Sequence, residues 1–358
     1  MARTAEFKKF YKKLTPMFSI MKKKNIIAIM MTAIGIALIT TALVIVYASY
    51  PPRGNTIDAA ITDYFYDTRS DTLALIMYII TWLGESLVYI GMLLFLYYLW
   101  DKKRTFRTMS LLITSSVVNV SAKAIFRLER PPDYQHYEHI EELSSGLPSG
   151  HAQLSTTVWG MLGIFLKKVM IVFAILLPLL IGFSRIYLGV HWFTDVIMGY
   201  GIALIILALY IFLGEYIENF LNEKSAIIKI LVAIAVCAIF AILVIFLLLN
   251  RVENDTELIS GSLKLIVLLV TLSISYSVEG SLINFSNEID KWWKYLVRIL
   301  IGGAIFGIFY FGVSMLFDLA INAVAWVGIE LTLDLIRYAM LGPALLLLAP
   351  WIMMKLKV

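Results

Sequence analysis

Two histidines, one aspartate and a group of cations stand where the surrounding sequence is apolar enough for a membrane interior. Ionisable side chains are costly there and usually functional. They fall in three stretches: Lys123 to Pro131 (K-A-I-F-R-L-E-R-P), Pro148-Ser149-Gly150-His151, and Ser184-Arg185 followed by His191 and Asp195. A phosphoryl group carries its charge on three non-bridging oxygens, which guanidinium forks and an ammonium can hold. The i, i+4 spacing of His191 and Asp195 lets a carboxylate grip one ring nitrogen and present the other to an electrophile. Gly150 at a helix start lets an oxyanion approach free backbone N–H groups. Together these types and spacings point to phosphoryl chemistry. Each piece also has a plainer reading: snorkelling cations for Lys123, Arg127 and Arg130, an N-cap for Ser149, and a structural hydrogen bond for His191 and Asp195.

The elements that must hold these residues are helices in a bilayer. The chain has 358 residues, 60% hydrophobic and 15% charged, with a mean hydropathy of +0.85. Such a composition excludes a soluble globular domain. Because a lipid-exposed backbone must satisfy its own hydrogen bonds, the expected class is an all-α polytopic membrane protein. The net charge of +5 sits mostly in loops beside spans and reads as topology, not as a nucleic-acid footprint. A single cysteine, Cys237, excludes a disulfide framework within one chain.

A basic N-terminus (1–25) precedes ten expected spans, near 26–49, 72–100, 107–128, 149–167, 169–186, 191–214, 226–249, 260–283, 297–316 and 336–354. The first is expected to remain as an anchor. Gly84-Glu85 interrupts the second, where a short interfacial helix is expected to turn into the span. Residues 55–70 and 317–335 read as interfacial segments. On a helix, Lys123, Arg127 and Arg130 at i, i+4 and i+7 would share one face at the outer end of the third span, with Pro131 ending that helix. The charged connector 215–225 marks a boundary between domains at 26–214 and 215–358. With the N-terminus inside, 21 of the 30 Lys and Arg residues lie on the inner side. That orientation puts both termini in the cytoplasm and the three stretches together at the extracytoplasmic face.

K-x6-R-P at 123–131, P-S-G-H at 148–151 and S-R-x5-H-x3-D at 184–195 resemble the three-part signature of the type 2 phosphatidic acid phosphatase superfamily. The resemblance covers about residues 26–214 and implies a six-span phosphatase core; about four additional C-terminal transmembrane helices lie outside it. It implies that His191 is the nucleophile that forms a phosphohistidine, that Asp195 orients it, and that His151 protonates the leaving oxygen. Lys123, Arg130, Ser149, Gly150 and Arg185 would hold the phosphoryl oxygens, and no metal or other cofactor is implied. The activity implied is metal-independent hydrolysis of a phosphomonoester or diphosphate, with a lipid phosphate as the expected partner because the site is embedded in the membrane. A phosphotransferase with an alcohol acceptor, and a non-catalytic lipid-binding or transport protein, stand as alternatives.

Other residues are weaker candidates. His136 and His139 with Glu138, Glu141 and Glu142 can be drawn as a metal cluster, but the segment reads as a solvated loop at the mouth of the site. Glu85 is expected to lie near the outer face and to pair with a motif cation. Asn254-Asp255-Thr256 fits a glycosylation sequon. Glu330, Asp334 and Arg337 share one helical face and are placed to pair.

Overall fold

A computed structural model of the protein describes residues 2–48, 57–138, 140, 144–166, 168–249, 256–323 and 329–358. The described residues form no strand, as expected of a chain whose apolar runs must keep their backbone hydrogen bonds within each segment. In order, the helices are α1 (Ala2–Tyr47), α2 (Ile57–Thr68), α3 (Asp71–Trp82), α4 (Ser86–Leu99), α5 (Lys102–Phe126), α6 (Gly150–Leu166), α7 (Val169–Tyr187) and α8 (Phe193–Asn222). There follow α9 (Ala226–Leu249), α10 (Thr256–Val278), α11 (Trp292–Gly307), α12 (Val313–Ala323), α13 (Ile329–Pro343) and α14 (Ala349–Lys355).

Helices stand at all ten expected places. Among the described residues seven are long and apolar enough to cross a bilayer, or eight when the bent pair α3–α4 counts as one span. The helix α6, with 17 residues, is at the short limit for a crossing. The break expected at Gly84-Glu85 is present: α3 and α4 meet there at 46°. Three boundaries differ from expectation. The helix α5 stops at Phe126, well before Pro131; α8 continues through the charged segment to Asn222; and α13 starts at Ile329 within the segment read as interfacial. In α8 the charges have partners that let the helix run on, since Glu215 pairs with Lys24 at 2.8 Å and Glu218 pairs with Lys103 and Arg107.

Close backbone approach ties the ends of the first half together. A side chain on Gly35 of α1 would meet the Gly201 carbonyl of α8 at 2.7 Å, so the two glycines let these helices touch. Polar side chains set the register between α5 and α6. Asn119 Nδ2 donates to Gln153 Oε1 at 2.9 Å, and Gln153 Nε2 donates to the Ser115 carbonyl at 2.8 Å. These bonds are buried, where leaving either amide unpaired is costly. Helix α6 is thereby held among α5, α7 and α8, with its N-terminus at the level of the α7–α8 turn.

The later helices grip the end of α4. The Tyr98 hydroxyl donates to the Leu345 carbonyl at 2.6 Å, Asn287 Nδ2 to the Tyr97 carbonyl at 2.7 Å, and Arg298 Nη1 to the Tyr98 carbonyl at 2.8 Å. Lys102 at the start of α5 pairs with the buried Glu279 at 3.0 Å. A cavity of about 320 Å³, lined by residues such as Leu93, Leu112, Lys264, Leu268 and Tyr338, lies among α4, α5, α10 and α13. Beside it Asp334 bonds Lys264 and, at 2.9 Å, Arg337, which also reaches Ser314.

Candidate active site

The site begins where α5 ends. Arg127 takes a left-handed conformation (φ 49°) and its N–H closes on the Lys123 carbonyl at 2.9 Å. The residues that follow leave the helix, so Lys123, Arg127 and Arg130 do not share a helical face, and the expected ladder of cations is corrected. Arg130 precedes Pro131, which disfavours helical geometry at Arg130 itself. Outside the helix, the Arg130 guanidinium folds back over the α7–α8 turn. Its Nη1 lies 2.9 Å from His191 Nε2 and donates to the Val190 carbonyl at 2.7 Å. Its Nε donates to the Ser144 carbonyl at 2.6 Å, and Lys123 Nζ donates to Ser144 Oγ at 2.8 Å.

The turn that carries His191 is built on Gly189 in a left-handed conformation (φ 72°), which glycine adopts without steric cost. The His191 N–H then closes on the Arg185 carbonyl. Helix α8 starts two residues later, and its first free N–H groups find carboxylates. Asp195 Oδ2 accepts from the Trp192 N–H at 3.1 Å, and Asp58 of α2 accepts from the Thr194 N–H at 2.9 Å and from its hydroxyl. The same Asp195 oxygen lies 3.1 Å from His191 Nδ1.

These contacts decide the tautomer. A guanidinium can only donate, so His191 Nε2 must offer its lone pair to Arg130, and the ring proton therefore sits on Nδ1, pointing at Asp195. Burial holds His191 well below the ordinary histidine value of 6.5, and Arg130, Arg185, Lys123 and His151 push it the same way. A neutral, oriented imidazole with its nucleophilic nitrogen among cations is the arrangement that phosphoryl attack needs.

The other predicted residues close around it. Arg185, buried, donates from Nη1 to Thr81 Oγ1 at 3.0 Å. His151, the second residue of α6, has its Nε2 3.2 Å from Glu85 Oε1, so a histidine of the second motif stretch is a partner of Glu85. Ser149 is buried; its N–H donates to the Asp195 carbonyl at 2.9 Å, while its hydroxyl has no partner among the described residues and caps nothing. Gly150 is the first residue of α6. Gly146 lies against the aspartate, where a side chain would meet Asp195 Oδ2 at 2.8 Å.

Three further residues escape a reading of the sequence alone. Ser144 joins Lys123 to Arg130, Thr81 holds Arg185, and Asp58 caps α8. Ser144 and Asp58 sit in polar segments with no distinguishing spacing; Thr81, three residues before Gly84, is the one a break in the span could have drawn attention to. Of the suggested metal cluster, the His136 ring lies 2.9 Å from the Pro131 carbonyl and 3.7 Å from Asp133; His139, Glu141 and Glu142 lie outside the described residues, as do Asn254 and Asp255 of the sequon.

Fold and site together define a polytopic helical membrane protein with an oriented histidine among converging cations. Residues 104–217 match the model of the PAP2 superfamily, and residues 263–358 match that of the PAP2 superfamily phosphatase transmembrane extension. The chain thus carries a PAP2 superfamily match at 104–217 and a match to the PAP2 transmembrane extension at 263–358. It is 33% identical over 99 residues to phosphatidylglycerophosphatase B of Bacillus subtilis, a match covering 25% of this chain and 48% of that protein. It is 27% identical over 115 residues to lipid phosphate phosphatase delta of Arabidopsis thaliana, covering 29% and 28% of the two chains. The chain therefore spans about half, or less, of the length of these relatives. A crystal structure of a transmembrane PAP2 type phosphatidylglycerolphosphate phosphatase from Bacillus subtilis aligns over 52% of this chain and 98% of its own, at 26% identity and a TM-score of 0.44.

Proposed function

We propose that this protein is a membrane phosphatase that hydrolyses a lipid phosphomonoester or diphosphate through a phosphohistidine at His191, without a metal. The observation that carries the reading is the His191 ring itself, with Nδ1–H toward Asp195 and the Nε2 lone pair toward Arg130. In the first step Nε2 forms a bond to phosphorus while the bond to the leaving oxygen breaks, and His151 gives that oxygen a proton. Asp195 stabilises the charge that develops on the His191 ring. Lys123, Arg130 and Arg185 hold the three phosphoryl oxygens, with the Ser149 hydroxyl and the Gly150 N–H beside them. Arg130 exchanges its bond to Nε2 for one to the substrate, which frees the lone pair for attack. In the second step water attacks phosphorus, His151 takes its proton, the N–P bond breaks, and phosphate leaves.

A lipid substrate is supported by the names of both relatives and by the candidate membrane spans that adjoin the first and third motif stretches. The bias of Lys and Arg supports a site on the extracytoplasmic face with both termini in the cytoplasm, and division of the chain near 215–225 accords with the gap between the two family matches. The test is phosphate release by the detergent-purified protein in EDTA, from phosphatidylglycerol phosphate, phosphatidic acid and a soluble sugar phosphate. Lipid phosphates should be hydrolysed, and His191→Ala should lower kcat by about 10⁴-fold or more. Equal release by the variant, or release abolished by chelation, would refute the mechanism.

A further inference from the structure

The break between α3 and α4 touches the site at both of its ends. Thr81, in the last turn of α3, accepts from the buried Arg185, and Glu85, the residue before α4, meets His151. Between them Gly84 clears the way: a side chain there would meet His151 Cδ2 at 2.6 Å and Ile181 Cγ2 at 2.7 Å. Non-helical backbone at membrane depth is tolerated where it is buried in protein, and this segment packs against two of the three motif stretches.

We propose that Glu85 is a positioning residue for the proton transfer: it orients His151 and favours its protonated form before the leaving oxygen departs. The inference rests on the phosphohistidine reading above and adds to it a residue outside the three motifs. His151 stands among charges of mostly one sign. The elements packed on α6 present Lys123 from α5, Arg185 from α7, and His191 and Asp195 from the turn into α8, with Arg130 from the segment after α5. Every cation in that set disfavours a second positive charge on His151. Asp195 directs its Oδ2 to His191 and to the Trp192 N–H, so it serves the nucleophile. Glu85 supplies the compensating negative charge on the other side, 3.2 Å from the ring. The two carboxylates thus divide the work: one holds the nucleophile in the right tautomer, and the other keeps a histidine charged. During the first step the His151 proton passes to the leaving oxygen, and Glu85 stays ionised to receive the ring again once water has returned the proton.

The experiment compares the wild type, Glu85→Gln and Glu85→Asp by kcat/KM across pH, on a lipid phosphate and on p-nitrophenyl phosphate. The lipid alcohol is a poor leaving group and needs a proton; nitrophenolate departs without one. With the lipid, Glu85→Gln should move the alkaline limb down by about one pH unit. An opposite charge at this distance shifts a pKa by about 1–3 units, and the partial exposure of Glu85 favours the lower end. Above the limb the loss should be about tenfold, shrinking to about twofold or less with nitrophenyl phosphate, and Glu85→Asp should recover part of it. A profile parallel to the wild type, or the same loss on both substrates, would overturn the proposal and leave the phosphatase reading standing. A wild type inactive on every phosphate, or a fully active His191→Ala, would remove both. Should Glu85→Gln fail to yield a monodisperse protein, Gly84→Ala gives a second route. It displaces His151 while Glu85 is kept, and it should cost the lipid substrate more than the nitrophenyl ester; equal losses would again count against the proposal.

Discussion

The two halves of this molecule both bury charge, and they treat it in opposite ways. In the PAP2 domain Lys123, Arg130 and Arg185 converge on one neutral histidine, while the nearest carboxylate, Asp195, is turned to the far side of that ring. In the extension the buried charges close on themselves. Asp334 lies between Lys264 and Arg337, Glu279 meets Lys102 and the Phe285 N–H, and the Arg298 guanidinium is surrounded by the carbonyls of Tyr98, Ser286, Glu288 and Val358. Isolated ions in a medium of low dielectric are expensive, so cations gathered around one histidine suit a site that receives an anionic ligand. Under the proposed function the cluster open toward His191 serves chemistry, and the closed ones serve structure.

The sharpest way to break this comparison is to remove one cation from the open cluster. Arg185→Met should lower kcat by about 10²–10³, as expected for a charge that acts on the transition state, with the purified protein still monodisperse. A loss of less than about threefold would mean that the cluster is not aimed at the substrate. A smaller effect tests the electrostatics of the nucleophile. His191 must be neutral to attack, and its pKa is depressed, so activity should persist as pH falls through 6.5 and decline only well below it. Arg130→Met removes one of the depressing cations, so the acid limb of kcat/KM should move upward by about one unit, whatever the variant does to the plateau. The smallest effect is expected in the extension. Lys264→Met with Asp334→Asn exchanges a pair for neutral groups and should leave lipid phosphate hydrolysis within about twofold, whereas Asp334→Asn alone strands two cations and should cost about 3–5 kcal/mol of stability. A large loss of activity in the double variant would place the extension's charges in the reaction and erase the contrast.

Much of this was legible before any coordinates. Membrane-grade runs betray the helices because the bilayer leaves the backbone few alternatives, and His191, Asp195, His151 and the cations stand out because such residues are rare in apolar surroundings. What escaped was geometry that depends on where a helix stops. The spacing of Lys123, Arg127 and Arg130 is good helical spacing, yet Arg127 ends α5 and sends Arg130 to His191 by another route. Spacing reports a shared face only while the helix lasts. The charged segment at 215–222 misled for a related reason: it reads as a linker until Lys24, Lys103 and Arg107 are found beside its glutamates. Such partners lie far away along the chain, beyond any local window. Glu85 was the favourable case, since Gly84 before it and its depth in the membrane were both visible in the sequence.

Helix α4 has a consequence that its two ends impose together. Its 14 residues form a rod of about 21 Å. At one end the extension takes hold of it through the carbonyls of Tyr97 and Tyr98 and the Tyr98 hydroxyl; at the other it begins directly after the carboxylate that meets His151. A rod fastened at its foot has little liberty to tilt or rotate at its head. The C-terminal helices thus act as a mooring for the rod whose head meets His151, and a bilayer that pulled on them would be felt at that histidine.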